Sequence, residues 1–288
     1  MPIPAAIVGQ RLGPRSVTVT PRMIMAFAAA TGDRNPRYFD DTRSEPLVAP
    51  PLLSVSLEWP LVLGMRSCIP EVTPEEARRG VHATHDATFH RLPRAGETLV
   101  TTATVVSVEQ RPSGTRVITR LDTVDAAGTP VTTTYNGGVY RGVELSGELH
   151  TIDEPPAVPE AAADGGLTIK IDVPIDAPHV YTECADIWNP IHTERSVAIT
   201  AGLPDVILHG TATLGYAAQE IVDRVCGGDP RRLRRITARF GAMVFMASEL
   251  NVSIGKPVHL AEGNSTVGYR VMNAGGGPAI RDSIAIIV

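Results

Sequence analysis

One histidine in the second half of the chain suits acid–base chemistry, and a second histidine precedes a stretch of helical length. His192 ends the segment Asn189-Pro190-Ile191-His192, and His209 directly precedes Gly210, where a stretch of helical length begins. An imidazole titrates near neutral pH, so it can accept a proton from water and return it elsewhere. A helix that begins at Gly210 would also direct backbone N–H groups toward negative charge that develops nearby. The pattern predicts a site that moves protons and stabilises an oxyanion.

The wider segment around these histidines resembles a known family. YTECADIWNPIHTERSVAITAG, followed by LPDVILHGTATLG, is similar to the hydratase motif of MaoC-like dehydratases and R-specific enoyl-CoA hydratases (hydratase 2). In that family an aromatic residue precedes Gly-Asp-x-Asn-Pro-hydrophobic-His, and a His-Gly pair opens the central helix. The matching residues are Tyr181, Asn189, Pro190, Ile191, His192, Ala198, Gly202, His209 and Gly210. The first half keeps Gly32, Asp33, Asn35 and Pro36, as in doubled members of the family.

The resemblance implies a hydro-lyase that acts on acyl thioesters. The expected reaction is the reversible hydration of a trans-2-enoyl thioester to an R-3-hydroxyacyl thioester, with no bound cofactor and no metal. Coenzyme A or the phosphopantetheine of an acyl carrier protein would carry the acyl group. His192 and a carboxylate would hold the water, while the N–H of Gly210 would meet the thioester oxygen.

The carboxylate beside His192 departs from the family pattern. The family's aspartate lies five residues before the histidine, where this chain has Ile187. Asp186 lies one position further away, which suggests an extra residue in the loop and a bulge that aims Asp186 at the water. In the alternative, Ile187 takes that place and Asp186 lies elsewhere. Glu183, or Asp33 from the first half, would then supply the carboxylate.

Three residues of the motif have supporting roles. Asn189 is expected to organise its loop through hydrogen bonds to the backbone. Tyr181 either fills the core or touches the substrate. His209 is expected to close the loop before the helix.

Two further clusters of polar residues have simpler interpretations. Four arginines either hold the phosphates of coenzyme A or of phosphopantetheine, or form a solvated basic turn: Arg231, Arg232, Arg234 and Arg235. Three histidines lack cysteines or carboxylates at metal-ligand spacing, which favours a surface cluster over a metal site: His82, His85 and His90.

The chain repeats one arrangement of elements, a strand and helices followed by a run of strands. Asn35-Pro36 corresponds to Asn189-Pro190, and HRLPRAGETLVTTATV corresponds to FGAMVFMASELNVSIG. Runs rich in Thr and Val predict strands at His82–Arg91, Glu97–Glu109, Thr115–Val124 and Pro130–Arg141, then at Arg235–Phe245, Glu249–Leu260, Thr266–Asn273 and Ala279–Val288. Helices are predicted at Pro21–Thr31, at Leu52–Met65 with a kink or break at Pro60, and at Gly210–Cys226.

These elements predict an α+β double hot-dog fold, in which each domain wraps an antiparallel sheet around a central helix. The expected boundaries are an N-terminal domain at 1–142, a linker at 143–166 and a C-terminal domain at 167–288. The first half lacks the chemistry, because Tyr38 stands where the second half has His192, and Pro51 stands where it has Gly210. Tyrosine is a poor base at neutral pH and proline has no N–H to donate. One active site per chain is expected, with Leu52–Leu63 as a wall of the acyl pocket.

Composition excludes several classes of partner. The net charge of −5 is spread along the chain, which argues against nucleic acid or an anionic membrane as a partner. Cys68, Cys184 and Cys226 are widely spaced and are expected to be reduced thiols of a cytoplasmic protein. The sequence predicts neither a signal peptide nor a membrane span.

Two other functions remain open from the sequence, together with the assembly state. A hot-dog thioesterase would bind the same acyl thioester but release a free acid. A non-catalytic acyl-thioester binding subunit would fit the displaced aspartate. An acyl carrier protein as partner and a homodimer are further options.

Overall fold

A computed structural model describes residues 2–67, 73 and 79–288 of the chain. In the first half the helices are α1 (Pro21–Ala30), α2 (Pro36–Phe39) and α3 (Leu53–Ser67). The strands are β1 (Ile3–Pro4), β2 (Arg11–Thr18), β3 (Gly80–Phe89), β4 (Thr98–Arg111), β5 (Gly114–Asp125) and β6 (Pro130–Arg141), followed by β7 (Leu145–Ser146) and β8 (His150–Thr151). Thr20 caps α1 by accepting a hydrogen bond from the Met23 N–H. Helix α3 continues through Pro60, so of the predicted kink or break the break is wrong, and the kink stays a prediction.

The second half repeats the order of the first. Its helices are α4 (Ala177–Ala185), α5 (Arg195–Thr200) and α6 (Gly210–Arg224). Its strands are β9 (Leu167–Val173), β10 (Leu233–Arg239), β11 (Ser248–Ile254), β12 (Val258–His259), β13 (Ser265–Met272) and β14 (Pro278–Ile287). Strand β10 ends earlier than predicted because the following residues pair with the segment before α6, where the Leu208 N–H donates to the Val244 carbonyl.

A single sheet of twelve strands joins the two halves. Its order is β2-β4-β5-β6-β3-β10-β14-β13-β11-β9, with β8 and β12 attached to β4 and β13. Read outward from the central pair β3 and β10, the two halves of the sheet have the same connectivity. All strand pairs of this sheet are antiparallel. The predicted α+β fold with a duplicated unit is confirmed.

A buried ion pair stabilises the seam between the halves. The Arg235 guanidinium on β10 donates to both carboxylate oxygens of Asp86 on β3, at 2.8 and 2.7 Å. It also donates to the carbonyls of Pro156 and Ala157, so it fixes the segment that was predicted as a linker. Arg235 therefore belongs to the junction, and its assignment to a phosphate-binding or solvated turn is wrong.

One hydrophobic core runs through both halves. Helix α1 packs against α4, and the rings of Phe27 and Tyr181 meet edge-on with their centroids 6.1 Å apart. Because the largest buried cluster contains residues from β2 through to β14, each half covers apolar surface of the other.

Other features of the sequence can be placed on this fold. No helix of the described ranges is long and apolar enough to cross a membrane. Cys184 is half-buried and Cys226 is buried, both as free thiols, while Cys68 lies outside the described residues.

Candidate active site

The loops that follow α4 and α1 have the same spacing from their left-handed residue to their asparagine, Asp186 to Asn189 and Gly32 to Asn35. The Ile187 N–H donates to the Thr182 carbonyl at 3.1 Å, as the Asp33 N–H donates to the Ala28 carbonyl at 3.0 Å. Each loop turns through a left-handed residue one position earlier, Gly32 with φ of 67° in the first half and Asp186 with φ of 54° in the second. Ile187 is therefore the counterpart of Asp33, and Asp186 is the counterpart of the glycine.

This register corrects the sequence interpretation. Trp188 is not an extra residue, because Arg34 takes the same place in the first loop, and no bulge carries Asp186 forward. The Asp186 side chain is exposed at the end of α4, whereas Ile187 is only 2% exposed. The expectation that Asp186 lies in a cleft with His192 is thus wrong, and the alternative with Ile187 facing inward applies. Trp188 is 58% exposed, so it does not pack against the other half as expected.

Asn189 organises the loop as predicted. Its side-chain oxygen accepts from the Ile191 N–H at 3.5 Å, and the first half repeats the contact between Asn35 and the Arg37 N–H at 3.1 Å. Such a turn sets the direction of the residues that follow. In the second half these residues form a short 3₁₀ turn, Pro190–His192.

The His192 ring is fixed in one tautomer by its surroundings. Its Nδ1 lies 2.8 Å from the Ile207 carbonyl oxygen, which can only accept, so Nδ1 carries the proton and donates. Burial lowers the pKa of His192 to about 4, while the hydrogen bond to Ile207 partly opposes that shift. The neutral ring therefore presents the lone pair of Nε2 as a hydrogen-bond acceptor and proton acceptor. A water molecule at Nε2 would find a base that is unprotonated at neutral pH.

His209 stacks on His192, with ring centroids 3.7 Å apart and planes inclined by 26°. Burial, and to a lesser extent the neighbouring His192, lowers the pKa of His209 to about 2, so this ring stays neutral. Its Nε2 lies 3.2 Å from the Thr182 hydroxyl, and the Tyr181 ring packs 5.0 Å away. Tyr181 itself is fully buried. His209 therefore does more than close a loop, because its ring stacks on the His192 ring and supports its orientation.

Gly210 begins α6, where the backbone lies close to the ring of Phe240. A Cβ there would lie 3.1 Å from that ring, so a side chain would require the ring to shift by a few tenths of an ångström. His209 at the N-cap makes no side-chain cap hydrogen bond. The N–H groups of the first turn thus remain available to an anion or an oxyanion.

No described carboxylate contributes to the pKa of His192 or His209. Glu183 is exposed on α4. Asp33 lies near Glu220 and Asp223 in the second half of α6, about 15–20 Å along the helix from Gly210. The histidine of the motif is thus present only in the second half, as His192, and the aspartate of the motif only in the first half, as Asp33.

The counterpart site in the first half is closed. Asp33 and Tyr38 line a cavity of about 20 Å³ together with Pro50, Pro51 and residues of α6. That space is enough for a single water molecule. Burial raises the pKa of Asp33 to about 6 and raises the pKa of Tyr38 well above its usual value. At neutral pH Tyr38 therefore keeps its proton while Asp33 is ionised, and Pro51 has no N–H to donate, so the counterparts of His192 and Gly210 offer neither a base nor a helix-opening donor.

The arginine and histidine clusters differ from their predictions. Arg231 pairs with Asp229, and Arg232 donates to the carbonyls of Val288 and Cys226, all beyond the end of α6 that is remote from Gly210. Neither lies beside the stacked histidines, so neither would contact the reacting end of a substrate there, and their role as ligands of the more distant phosphates of the carrier stays a prediction. His85 is only 1% exposed, which contradicts a surface cluster. The described residues contain no group of three or more His, Cys, Asp or Glu side chains that could hold a metal ion.

Sequence reasoning missed three contributors to the site. The Ile207 carbonyl, the Thr182 hydroxyl and the Phe240 ring set the geometry of the two histidines and Gly210. A backbone carbonyl gives no signal in a sequence, and Phe240 is brought to Gly210 only by the tertiary fold. Thr182 alone had a local signal, since it lies one residue after the motif's aromatic position.

Comparison with family models identifies both halves. Residues 6–134 match a FAS1-like dehydratase domain region, and residues 180–267 match a MaoC-like domain. The C-terminal half is thus similar to a MaoC-like domain, and the N-terminal half to the dehydratase region of FAS1-like proteins. Its fold is shared by a MaoC-like dehydratase from Phytophthora capsici, with a TM-score of 0.85 and 19% identity over 99% of this chain and 97% of that one.

Curated relatives of this MaoC-like chain include enzymes of thioester chemistry. A peroxisomal enoyl-CoA hydratase 2 of Arabidopsis thaliana is 43% identical over 63 residues, which is 22% of this chain and 20% of that protein. The 3-hydroxyacyl-thioester dehydratase Y of Mycobacterium tuberculosis is 31% identical over 181 residues, 60% of this chain and 61% of that protein. The match covers less than two thirds of the length of each of these relatives.

Proposed function

We propose that the C-terminal site catalyses the reversible hydration of an enoyl thioester to a 3-hydroxyacyl thioester. The observation that carries this proposal is the fixed tautomer of His192, whose Nδ1 donates to the Ile207 carbonyl. The neutral ring then offers its Nε2 lone pair as a base. Among the relatives, the printed names of enoyl-CoA hydratase 2 and 3-hydroxyacyl-thioester dehydratase support the same reaction class.

In the hydration direction, a water molecule gives one proton to His192 Nε2 while its oxygen bonds to C3 of the enoyl group. The electron pair of the double bond moves toward the thioester oxygen, which becomes an enolate. The N–H groups at the start of α6, Gly210 first, stabilise that oxygen. The proton then passes from Nε2 to C2, so the net change is the addition of one water. Dehydration follows the same steps in reverse.

The substitution of Ile187 for the family's aspartate sets an expectation for the rate. A carboxylate that shares the water with the imidazole contributes about 10²-fold or more to such a step. Without one, His192 must orient the water and shuttle its proton alone. A slow hydratase is therefore expected, with R stereochemistry proposed from the family resemblance.

The substrate carrier and cellular setting remain part of the proposal. A small-molecule acyl thioester of coenzyme A fits the site, and so does the phosphopantetheine thioester of an acyl carrier protein. The cytoplasmic location predicted from the cysteines is retained as a proposal, although the Arabidopsis relative is named as peroxisomal. A homodimer is proposed on the same footing.

A second candidate is favoured by one observation. Because Ile187 is buried where the family places its carboxylate, the chain could hold an acyl thioester without converting it. A thioesterase is disfavoured, since no described carboxylate contributes to the pKa of the site histidines, as one poised to attack beside them would.

Product analysis distinguishes these functions. The chain is incubated with trans-2-enoyl-CoA substrates of several chain lengths, and the products are separated by chromatography. The proposal predicts a 3-hydroxyacyl-CoA with R configuration, formed at a rate proportional to enzyme. Free acid and free coenzyme A would indicate a thioesterase. Saturable binding of the enoyl-CoA without product would move the binding function to first place.

A further inference from the structure

The loop after β3 and the loop after β10 occupy equivalent places in the two halves. The Ala49 N–H donates to the Pro93 carbonyl at 2.8 Å, as the Leu208 N–H donates to the Val244 carbonyl at 2.8 Å. Isolated bridges join Val48 to Arg94 and Ile207 to Phe245. Each loop therefore borders one of the two equivalent sites.

The chemistry of the two borders is opposite. Beside the histidine site, the loop presents Met243 and Phe245, which are 41% and 37% exposed. At the equivalent places beside the closed site, the first half has Leu92 and Arg94. Arg91 stands in the same loop, so this border is basic where the other is apolar.

The basic border encloses a cavity of about 200 Å³. Its apolar part is formed by Val48, Phe89, Leu92 and Leu233, and its charged part by four guanidinium groups: Arg91, Arg94, Arg231 and Arg234. No carboxylate is among the described residues that line it. The cavity thus combines cationic donors with an apolar wall, which is the usual make-up of a small-molecule site.

Two of the four arginines are not neutralised by carboxylates. Arg91 pairs with Glu97 and Asp125 at 2.8 and 3.1 Å, and Arg231 pairs with Asp229 at 2.7 Å. In contrast, Arg234 donates only to the His90 carbonyl at 3.2 Å, and Arg94 forms no side-chain ion pair within the described ranges. Like charges around one cavity repel, and an anion would relieve that repulsion.

We propose that this cavity is a second ligand site, which binds a phosphate-bearing molecule with an attached apolar ring or chain. Guanidinium groups match the oxygens of a phosphate in pairs, and the apolar wall accepts the rest of the ligand. The site is separate from the histidine site, because Arg231 follows the far end of α6 from Gly210, about 21 Å along the helix. The proposal goes beyond hydratase chemistry and does not depend on it.

Binding is tested by titration calorimetry on the full chain at low ionic strength. Three probes share the phosphate and differ in what is attached to it: pyrophosphate, 4′-phosphopantetheine and adenosine 3′,5′-bisphosphate. We expect saturable 1:1 binding of at least one organic probe, tighter than that of pyrophosphate, and weakened by added salt. The preferred probe identifies whether a pantetheine arm or a nucleotide is the source of the phosphate.

Variants locate the binding. Arg94→Ala and Arg234→Ala should each weaken it about tenfold, the effect of losing one charge-assisted hydrogen bond. Arg11→Ala is the matched control, because Arg11 is an exposed arginine outside the cavity. It lies where β2 pairs with Thr104, at the end of the β2–β4 ladder away from Thr98, and this variant should bind the probes as the wild type does. The absence of saturable binding by all three probes, or binding unchanged in both cavity variants, would refute the proposal. Absence of hydratase turnover would leave the result intact.

Discussion

Replacing Ile187 with aspartate tests whether the site lacks only its carboxylate. Ile187 is the positional counterpart of Asp33, whose side chain accepts from the Asn35 N–H at 2.9 Å. A carboxylate at position 187 would meet the equivalent Asn189 N–H and would lie in the loop that carries His192. We expect Ile187→Asp to raise kcat for enoyl-CoA hydration about 10²-fold, the effect of adding a general acid–base partner.

The loss of folding stability expected for Ile187→Asp can be estimated from Asp33, its counterpart in the first half. Burial raises the pKa of Asp33 from its usual value of 3.8 to about 6. A similar shift would cost about 3 kcal/mol at pH above 6, because the folded state then holds an ionised group that burial disfavours. The loss of a buried isoleucine adds about 2 kcal/mol. The melting temperature should fall by about 10 °C, and the cost should diminish as the pH falls from 6 toward 4.

The control for this substitution is Ile187→Asn, which has similar size and no charge. Hydration rates are measured at 15 °C, where both variants stay folded by circular dichroism, between pH 5 and 8. The rate of Ile187→Asp should rise with pH and level off above about 6, as the new carboxylate ionises. If Ile187→Asp is no faster than Ile187→Asn while both are folded, the missing carboxylate does not explain the site.

Three other outcomes are expected. Gly210→Pro should lower kcat about 10²-fold, because it removes an N–H from the first turn of α6 without disfavouring the helix. Gly210→Ala adds only the contact with Phe240 and should keep more of the rate. Equal losses of kcat in steady-state assays of the two variants would mean that contact with Phe240, and not the missing N–H, lowers the rate. The pKa of His192 is about 4 in the folded chain and 6.5 when unperturbed, so kcat/KM should be level above pH 5 and fall below pH 4. The contribution of His192 to the free energy of unfolding should be lost as the pH drops from 6.5 toward 4. A rate that instead falls near pH 6.5 would contradict the assignment of His192 as the base. Asp86→Ala should lower the free energy of unfolding in urea by about 3–5 kcal/mol, since it leaves Arg235 buried without its ion pair. A decrease of less than about 1 kcal/mol would refute the stabilising role of this ion pair.

The strands of the sheet could be predicted because each has a local sequence pattern. Thr- and Val-rich runs between short polar turns gave all four long strands of the first half within a few residues. The end of β10 was not predictable, because Val244 and Phe245 pair with the segment before α6. The ion pair of Arg235 with Asp86 joins residues 149 positions apart, and no local pattern signals it.

The position of the aspartate shows where motif reasoning fails. Matching Asp186 to the family's aspartate required an inserted residue, but Asp186 instead takes the left-handed position of Gly32. Asp and Asn tolerate that conformation better than other side chains, so the sequence did contain a signal for the correct register. His192, His209 and Gly210 lie together as the motif implied, whereas their catalytic roles stay predictions.

The most direct test of the central claim compares wild type with His192→Ala in the hydration of a trans-2-enoyl-CoA. The affinity of each for the unreacted substrate analogue acyl-CoA is measured in parallel, together with the melting temperature. We predict that kcat falls by about 10²-fold or more, while affinity and melting temperature stay close to those of the wild type. A variant that keeps near-full hydratase activity would contradict the account, because no other base in the described site could then replace His192.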